Sequence, residues 1–423
     1  METTAALSGL ACVDCGASHD PATTPRRCPD CDGVLTPEYD LDAVASDLDR
    51  GTLADRRFDG LARYGDLLPL PRDALLAAGE GTTPLVECPA FADEIGVGTV
   101  YVKDEGANPT GTIADRGAAL AVAAARGHGA TGVALPTTGD AGQSVAASAA
   151  RAGLDSEAFV PTRSTFVAKA MTNVHGGEMS VVEGRYPDAV AAFEGAMGER
   201  ATGRDEGAAS GGDADGAASE GGDDGERWHS LAPFDTPYRH EGAKTLLLEV
   251  FEQLDWRAPD AVVHPTGHGL GVVGSRLAAE QATGLGLVDG APALHVAQPA
   301  ECAPVVAADD EGRDDTHAWE RPDTLVGALE VPDPAGGALA LDAIRETGGR
   351  AVGASDDDAL ESAVELAGEG VEVSATGGVG AAAARDLAAN GQLGAEDTVV
   401  LVNPVAGNKE NDVLRSHLMR KGV

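Results

Sequence analysis

Ala261-Val262-Val263-His264-Pro265-Thr266-Gly267-His268-Gly269-Leu270-Gly271-Val272-Val273-Gly274 is the stretch from which the fold is read. An apolar run of strand length, 261–264, ends in a turn. Three alternating glycines follow, and 272–283 carries the spacing of a helix. Glycines let backbone N–H groups converge on one point, and a helix N-terminus adds partial positive charge. Gly267, His268, Gly269, Leu270 and Gly271 are therefore read as a phosphate-binding loop that needs no cation. A tight strand–helix turn without a ligand is the other reading. Gly269, Gly271 and Gly274 also satisfy the dinucleotide spacing, with Asp289 as a loose candidate for the ribose-binding acid. A dinucleotide-dependent oxidoreductase thus stays open at this point.

The same strand-then-helix rhythm extends in both directions. Strands are expected at 100–103, 132–136 and 158–161 before the loop, and at 294–298, 350–353 and 398–402 after it. Helices are expected at 142–152, 164–174, 246–254, 356–367 and 379–389. Such alternation predicts an α/β fold with a largely parallel sheet. A second glycine loop, Thr137-Thr138-Gly139-Asp140-Ala141-Gly142-Gln143-Ser144, also joins a strand to a helix. It could cap that helix or present hydroxyls and N–H groups to a carboxylate. The segment 41–80 reads as polar and helical around 41–48 and 67–76. Residues 199–227 are almost entirely Gly, Ala, Ser, Asp and Glu; they lack an apolar period and are expected to form a disordered acidic insertion.

The chain has 423 residues, 43% of them hydrophobic, enough for a sizeable core. No apolar run approaches membrane-spanning length, and the first residues lack a secretory signal, so a cytoplasmic protein is expected. Its formal charge of −39 comes from 69 acidic against 30 basic residues. That balance argues against nucleic acid and anionic membranes as partners, since phosphate backbones and anionic lipids attract cations. Self-repulsion of this size is relieved in concentrated salt, where the screening length falls to about 3 Å at 1 M, so a salt-loving source is expected. Lysine is scarce: the chain has only Lys103, Lys169, Lys244, Lys409 and Lys421.

Four of the six cysteines fall within 1–40. Cys12-x2-Cys15 and Cys28-x2-Cys31 have the spacing of two knuckles that can place four thiolates around a structural zinc. Gly16 and Gly33 follow the knuckles and would permit tight turns. Two disulfides are the other reading, but nothing else suggests an oxidising compartment. Cys88 and Cys302 are isolated and are read as small buried hydrophobes.

Several motifs together resemble threonine synthase, a pyridoxal phosphate (PLP) enzyme of fold type II, the tryptophan-synthase-β type. They are Gly81-Thr82-Thr83-Pro84-Leu85, Tyr101-Val102-Lys103-Asp104-Glu105, and Asn108-Pro109-Thr110-Gly111-Thr112-Ile113-Ala114-Asp115-Arg116-Gly117. Tyr238-Arg239-His240-Glu241-Gly242-Ala243-Lys244-Thr245, Glu252-Gln253-Leu254, the loop 267–271 and the stretch 340–349 agree with it. The cysteine ribbon also occurs in some threonine synthases. The resemblance implies a two-lobed fold with parallel-rich sheets flanked by helices. The expected parts are a zinc-ribbon-like segment at 1–40, a large α/β domain from 41–96 and 228–423 carrying the phosphate loop, and a smaller α/β domain at 97–198. Related folds often form homodimers, though no sequence mark of an interface is seen here.

The resemblance also shows where this chain departs. The family holds PLP on the lysine of a motif close to N-P-T-G-S-F-K-D-R-G, and here Ala114 takes that place. Alanine can neither form the internal imine nor carry protons. Asp140 stands where the family has an asparagine beside the ring hydroxyl. Val402-Asn403-Pro404-Val405-Ala406-Gly407 carries no hydroxyl of the kind that meets the ring nitrogen in the family. The implied cofactor contacts are Gly267, His268, Gly269, Leu270, Gly271, Asp140 and Asn403. The implied substrate contacts are Thr137, Thr138, Gly139, Arg116 and Arg239, the two arginines for a phosphate or carboxylate. Lys244, in an expected helix, reads as a surface charge. The expectation is a non-catalytic or altered paralogue that binds PLP or a small phosphorylated amino acid. An active threonine synthase that converts O-phosphohomoserine with another lysine is the alternative.

Overall fold

The computed structural model describes residues 1–24, 26–202 and 227–422. Among them the strands are, in chain order, β1 (Leu7–Cys12), β2 (Ser18–His19), β3 (Leu35–Tyr39), β4 (Leu85–Glu87), β5 (Thr99–Asp104), β6 (Gly132–Pro136), β7 (Asp155–Pro161), β8 (Glu178–Val182), β9 (Trp228–Ser230), β10 (Ala261–Pro265), β11 (Ala293–Pro299), β12 (Ala351–Ala354) and β13 (Thr398–Asn403). β1 to β3 form a small antiparallel ribbon in the order β2-β1-β3. The large sheet runs β12-β11-β10-β13-β5-β4, parallel except for β4 at its edge. The smaller sheet, β8-β7-β6-β9, is all parallel.

The alternation of side chains along the strands builds the layers. Val262, Val400 and Val402 face one core of the large sheet, with the helices Thr245–Gln253, Leu270–Gly284 and Gly337–Glu346. Ala261, Val263, Val399 and Leu401 face the other, with the helices Asp356–Gly368 and Ala375–Ala389. A strand covered on both faces must be apolar at every position, which is why these runs show no polar alternation. The smaller sheet repeats the arrangement. Val133 and Leu135 pack toward the helices Ala114–Gly127 and Asp140–Ala152, while Ala134 and Phe159 pack toward Ala189 and Phe193 of the helix Tyr186–Thr202.

Four expectations are corrected. The border at 97 is too early, because β5 pairs with β13 in the large sheet and buries Val100 and Val102 in its core. At the other end, β9 joins β6 of the smaller sheet although it begins at Trp228. The expected helix at 67–76 is replaced by 3-10 segments, Gly60–Leu67, which is kinked at Tyr64, and the short Arg72–Ala74. Pro69 and Pro71 lie between them, and each removes a backbone donor that a helix needs. The expected insertion begins late: residues 199–202 still belong to the helix Tyr186–Thr202, and 203–226 lie outside the described residues. No helix among the described residues is long and apolar enough to cross a membrane.

Candidate functional site: a cavity at the strand ends

β10 and β13 are neighbours in the sheet, but the connection out of β10, through the helix Leu270–Gly284, covers one face, while the connection into β13, through Asp356–Gly368 and Ala375–Ala389, covers the other. In an open parallel sheet such a switch point leaves a crevice at the C-terminal strand ends. A cavity of about 170 Å³ occupies it. Its walls come from the loop after β10, the loop after β6, the start of the helix Ala114–Gly127 and the exit of β13 at Val402, Pro404 and Val405. Ala114 opens its helix, and its methyl is part of the wall.

Gly267, His268, Gly269, Leu270 and Gly271 all line this cavity. Gly269 is the residue before the helix Leu270–Gly284 and has φ +96, which favours glycine. A Cβ there would also come within 3.1 Å of the Gly336 carbonyl. Among the described residues, the N–H groups of Gly267, His268 and Gly269 donate to no protein acceptor. Free N–H groups ahead of an uncapped helix N-terminus suit a phosphate. The His268 ring is engaged elsewhere. Its Nδ1 accepts from the Ala335 N–H at 3.2 Å, so Nε2 donates to the Tyr186 hydroxyl at 2.9 Å. Burial, aided by nearby Arg239, lowers its pKa to about 3, so the ring is neutral.

Arg239 supplies the charge. It lines the cavity, is 5% exposed, and donates to the Leu231 carbonyl at 2.9 Å. Among the described residues its Nε has no partner and no carboxylate pairs with it. Burial pulls its pKa down to about 10, which leaves it charged at neutral pH. A buried guanidinium without an anion is costly, and an anionic ligand would remove the cost. His264, on β10, also reaches the cavity with Nε2 unpartnered, and burial holds it neutral with a pKa of about 3.

Thr137, Thr138 and Asp140 line the same cavity. Gly139 does not; it borders a neighbouring pocket with Thr138 and Asp140. The Thr137 hydroxyl accepts from the Gly139 N–H at 3.0 Å, and that of Thr138 donates to the Ala328 carbonyl at 3.3 Å. Asp140 Oδ1 sits 2.9 Å from the ammonium of Lys409. The Asp140 charge, which would face the ring hydroxyl in the family arrangement, is thereby offset within the protein. Thr376, on another wall, binds buried Glu410, whose carboxyl burial pushes up to about 7.

Two expected contacts, Arg116 and Asn403, lie away from the cavity, and a third expectation, for Lys244, is also corrected. Arg116 is fully buried, and its donors go to Glu105, Glu249, Thr83 and Thr245 at 2.6–3.2 Å. It holds the two carboxylates inside the core and has no N–H left for a ligand. Asn403 faces away, accepting from Ser374 and donating to Asp104 and the Glu372 carbonyl. Lys244 is not a surface charge: it is wholly buried on Glu241, Gln281 and the Leu67 carbonyl. His264 and Tyr186, which line the cavity, and Lys409, which meets Asp140 behind it, are not among the expected site residues. His264 is the residue just before the quoted turn, and Lys409 is marked by lysine scarcity, but nothing nearby flags Tyr186.

In the ribbon, the four sulfurs of Cys12, Cys15, Cys28 and Cys31 lie within 4.8 Å of one another, and all four cysteines are free. The Gly16 N–H bonds the Cys12 carbonyl and the Asp32 N–H bonds that of Cys28, so both knuckles close alike. Gly33 serves by clearance, since a Cβ there would come 2.6 Å from the Cys12 sulfur. This chemistry fits a closed tetrahedral metal.

Comparison with known proteins agrees with this geometry. The sequence pattern described as pyridoxal-phosphate dependent enzyme matches residues 76–404. The chain is 29% identical over 395 residues to the threonine synthase of Methanosarcina acetivorans, covering 93% of this chain and 90% of that one. It resembles the processed form of threonine deaminase isoform 2 from Solanum lycopersicum with a TM-score of 0.62 at 18% identity, over 80% of this chain and 83% of that one. A lysine-to-alanine mutant of O-ureido-L-serine synthase with O-ureido-L-serine bound superposes with a TM-score of 0.60 at 18% identity, covering 84% and 92%. These likenesses establish the fold type II architecture.

Proposed function

Because the chain belongs to the pyridoxal-phosphate dependent enzyme family, we propose that it is a threonine synthase-like protein altered at its centre. It binds PLP by the phosphate, together with a small phosphorylated amino acid, and lacks the residue-114 amine of ordinary family chemistry. The observation that carries this reading is one cavity holding both free loop N–H groups at 267–269 and the unpaired, buried Arg239. PLP, when bound, withdraws electrons from bonds at an amino-acid α-carbon. The residues of the chain would share the rest. The 267–269 N–H groups and the helix behind them hold the phosphate. Arg239 takes an anionic group of the substrate. Thr137 and Thr138 offer hydroxyls to a carboxylate, and Lys409 keeps Asp140 neutralised. The apolar wall of Val402, Pro404 and Val405 excludes water.

The proposal predicts that protein purified in molar salt retains PLP on equilibrium dialysis. It also predicts that Arg239→Met weakens binding of O-phosphohomoserine about ten- to a hundredfold, the worth of a hydrogen bond to a charged group. Because the lost cation was unpaired, thermal melting should be unchanged or higher. A variant that melts early and binds normally would overturn the assignment. The second reading, an active threonine synthase using another lysine, is favoured by the position of Lys409 beside Asp140.

We also assign the four cysteines a structural zinc. About one zinc per chain is expected by elemental analysis. Its removal by chelator should raise hydrogen exchange in 7–39 while leaving the rest protected. No bound metal, or chelator-insensitive exchange, would refute the site.

A further inference from the structure

The cysteine ribbon is tied to the segment that carries Arg239. Arg26, next but one to Cys28, donates to Asp235 Oδ2 at 2.8 Å, and Arg27 Nη1 lies 3.8 Å from Asp235 Oδ1. Asp235 also accepts from the Ser230 hydroxyl at 2.5 Å. Tyr39, the last residue of β3, donates its hydroxyl to Glu241 Oε2 at 2.7 Å, and the Lys244 ammonium lies 4.5 Å from the centre of its ring. Asp235 and Glu241 stand on either side of Arg239 in the chain.

The span between these two contacts serves the cavity. Pro233 lines it. The Phe234 ring stacks on His240 with centroids 5.4 Å apart and packs on Gly336, where a Cβ would clash with it. The Gly336 N–H in turn bonds the His268 carbonyl at 3.1 Å. Phe234 has φ +61, a conformation that a bulky residue holds only when its surroundings impose it. Among the described residues, one hydrogen bond fixes the Arg239 guanidinium, from Nη1 to the Leu231 carbonyl. The backbone of the helix Tyr238–Ala243 is fixed separately. It presses on the helix Ala114–Gly127 at Gly117, where a Cβ would come 2.6 Å from the Arg239 carbonyl. The helix is thus held by its neighbour, while the aim of the Arg239 side chain depends on the loop 231–237.

We propose that the ribbon is a clamp for the anion site, with Arg26 and Tyr39 as positioning residues that fix Arg239 through Asp235 and Glu241. This rests on reading Arg239 as the cation for an anionic ligand and the four cysteines as a metal site. Neither Arg26 nor Tyr39 lines the cavity, so each acts only through its partner. With a metal on the four sulfurs, the knuckle beside Arg26 is tied to β1 through Cys12, and β1 is paired with β3, which ends in Tyr39. The two grips then belong to one rigid body.

Calorimetric binding of O-phosphohomoserine to the full chain in molar salt tests the clamp. The double variant Arg26→Gln, Tyr39→Phe is expected to bind about tenfold more weakly with its zinc content unchanged, a loss within the range of couplings between residues in contact. In the Arg239→Met background the same pair is expected to cost nothing further, because the side chain it aims is gone. Removal of the metal by chelator from the unaltered chain should weaken binding to the same extent, and this measurement decides alone if the double variant does not fold. Unchanged affinity in the double variant or after chelation, or an equal loss with and without Arg239, overturns the clamp and leaves the anion site standing. If Arg239→Met binds as tightly as the unaltered chain, or the unaltered chain does not bind, the anion-site reading fails and the clamp with it.

Discussion

Ala114→Lys is expected to raise the rate of O-phosphohomoserine turnover by about 10²- to 10⁴-fold, the usual contribution of one positioned acid–base group. The site is prepared for it. Ala114 is half-buried in the cavity wall, at the first turn of a 14-residue helix. Partial positive charge at that helix end would favour the neutral, nucleophilic amine. Phosphate release in molar salt measures the gain. A variant no faster than its parent would mean that more than one missing amine separates this chain from the threonine synthases.

The second large effect concerns stability. Arg116→Met is expected to cost about 3–5 kcal/mol, the penalty for breaking a buried pair by removing one partner. Glu105 is wholly buried, and Glu249 is 4% exposed. Burial alone would raise both carboxyls, but Arg116 and Lys103 hold them below the usual range. A lowered folded pKa gives stability that is present above the unfolded value, near 4.5, and lost as the pH falls below it. The loss in Arg116→Met should therefore be full at pH 7 and shrink in acid, as the stranded carboxyls protonate. Denaturant titrations at both pH values check this. An equal loss at both would show that packing, not charge, is what Arg116 contributes.

The two arginines show what the sequence could tell. Arg116 and Arg239 both sit in recognisable motifs, and both read as anion sites. Only the fold shows that Glu249, 133 residues from Arg116, reaches across to occupy it, while among the described residues no carboxylate reaches Arg239. The strands around the switch point were legible because burial on both faces makes short, wholly apolar runs. The glycine loop was legible because its shape depends on the residue type. The β5 border was not, since strand pairing to β13, some 300 residues on, leaves no local mark. Asn403 was misplaced because the sequence marks the end of β13 but not the direction in which its last side chain points. Lys409 was visible as a rare residue, yet its meeting with Asp140 depends on two loops from different sheets.

The central claim is that the loop at 267–271 holds the phosphate of PLP in this cavity. Equilibrium dialysis of the unaltered chain in molar salt, with PLP against pyridoxal, tests it most directly. Retention of PLP with pyridoxal bound at least tenfold more weakly is the predicted result. Equal binding of the two, or binding of neither, would contradict it.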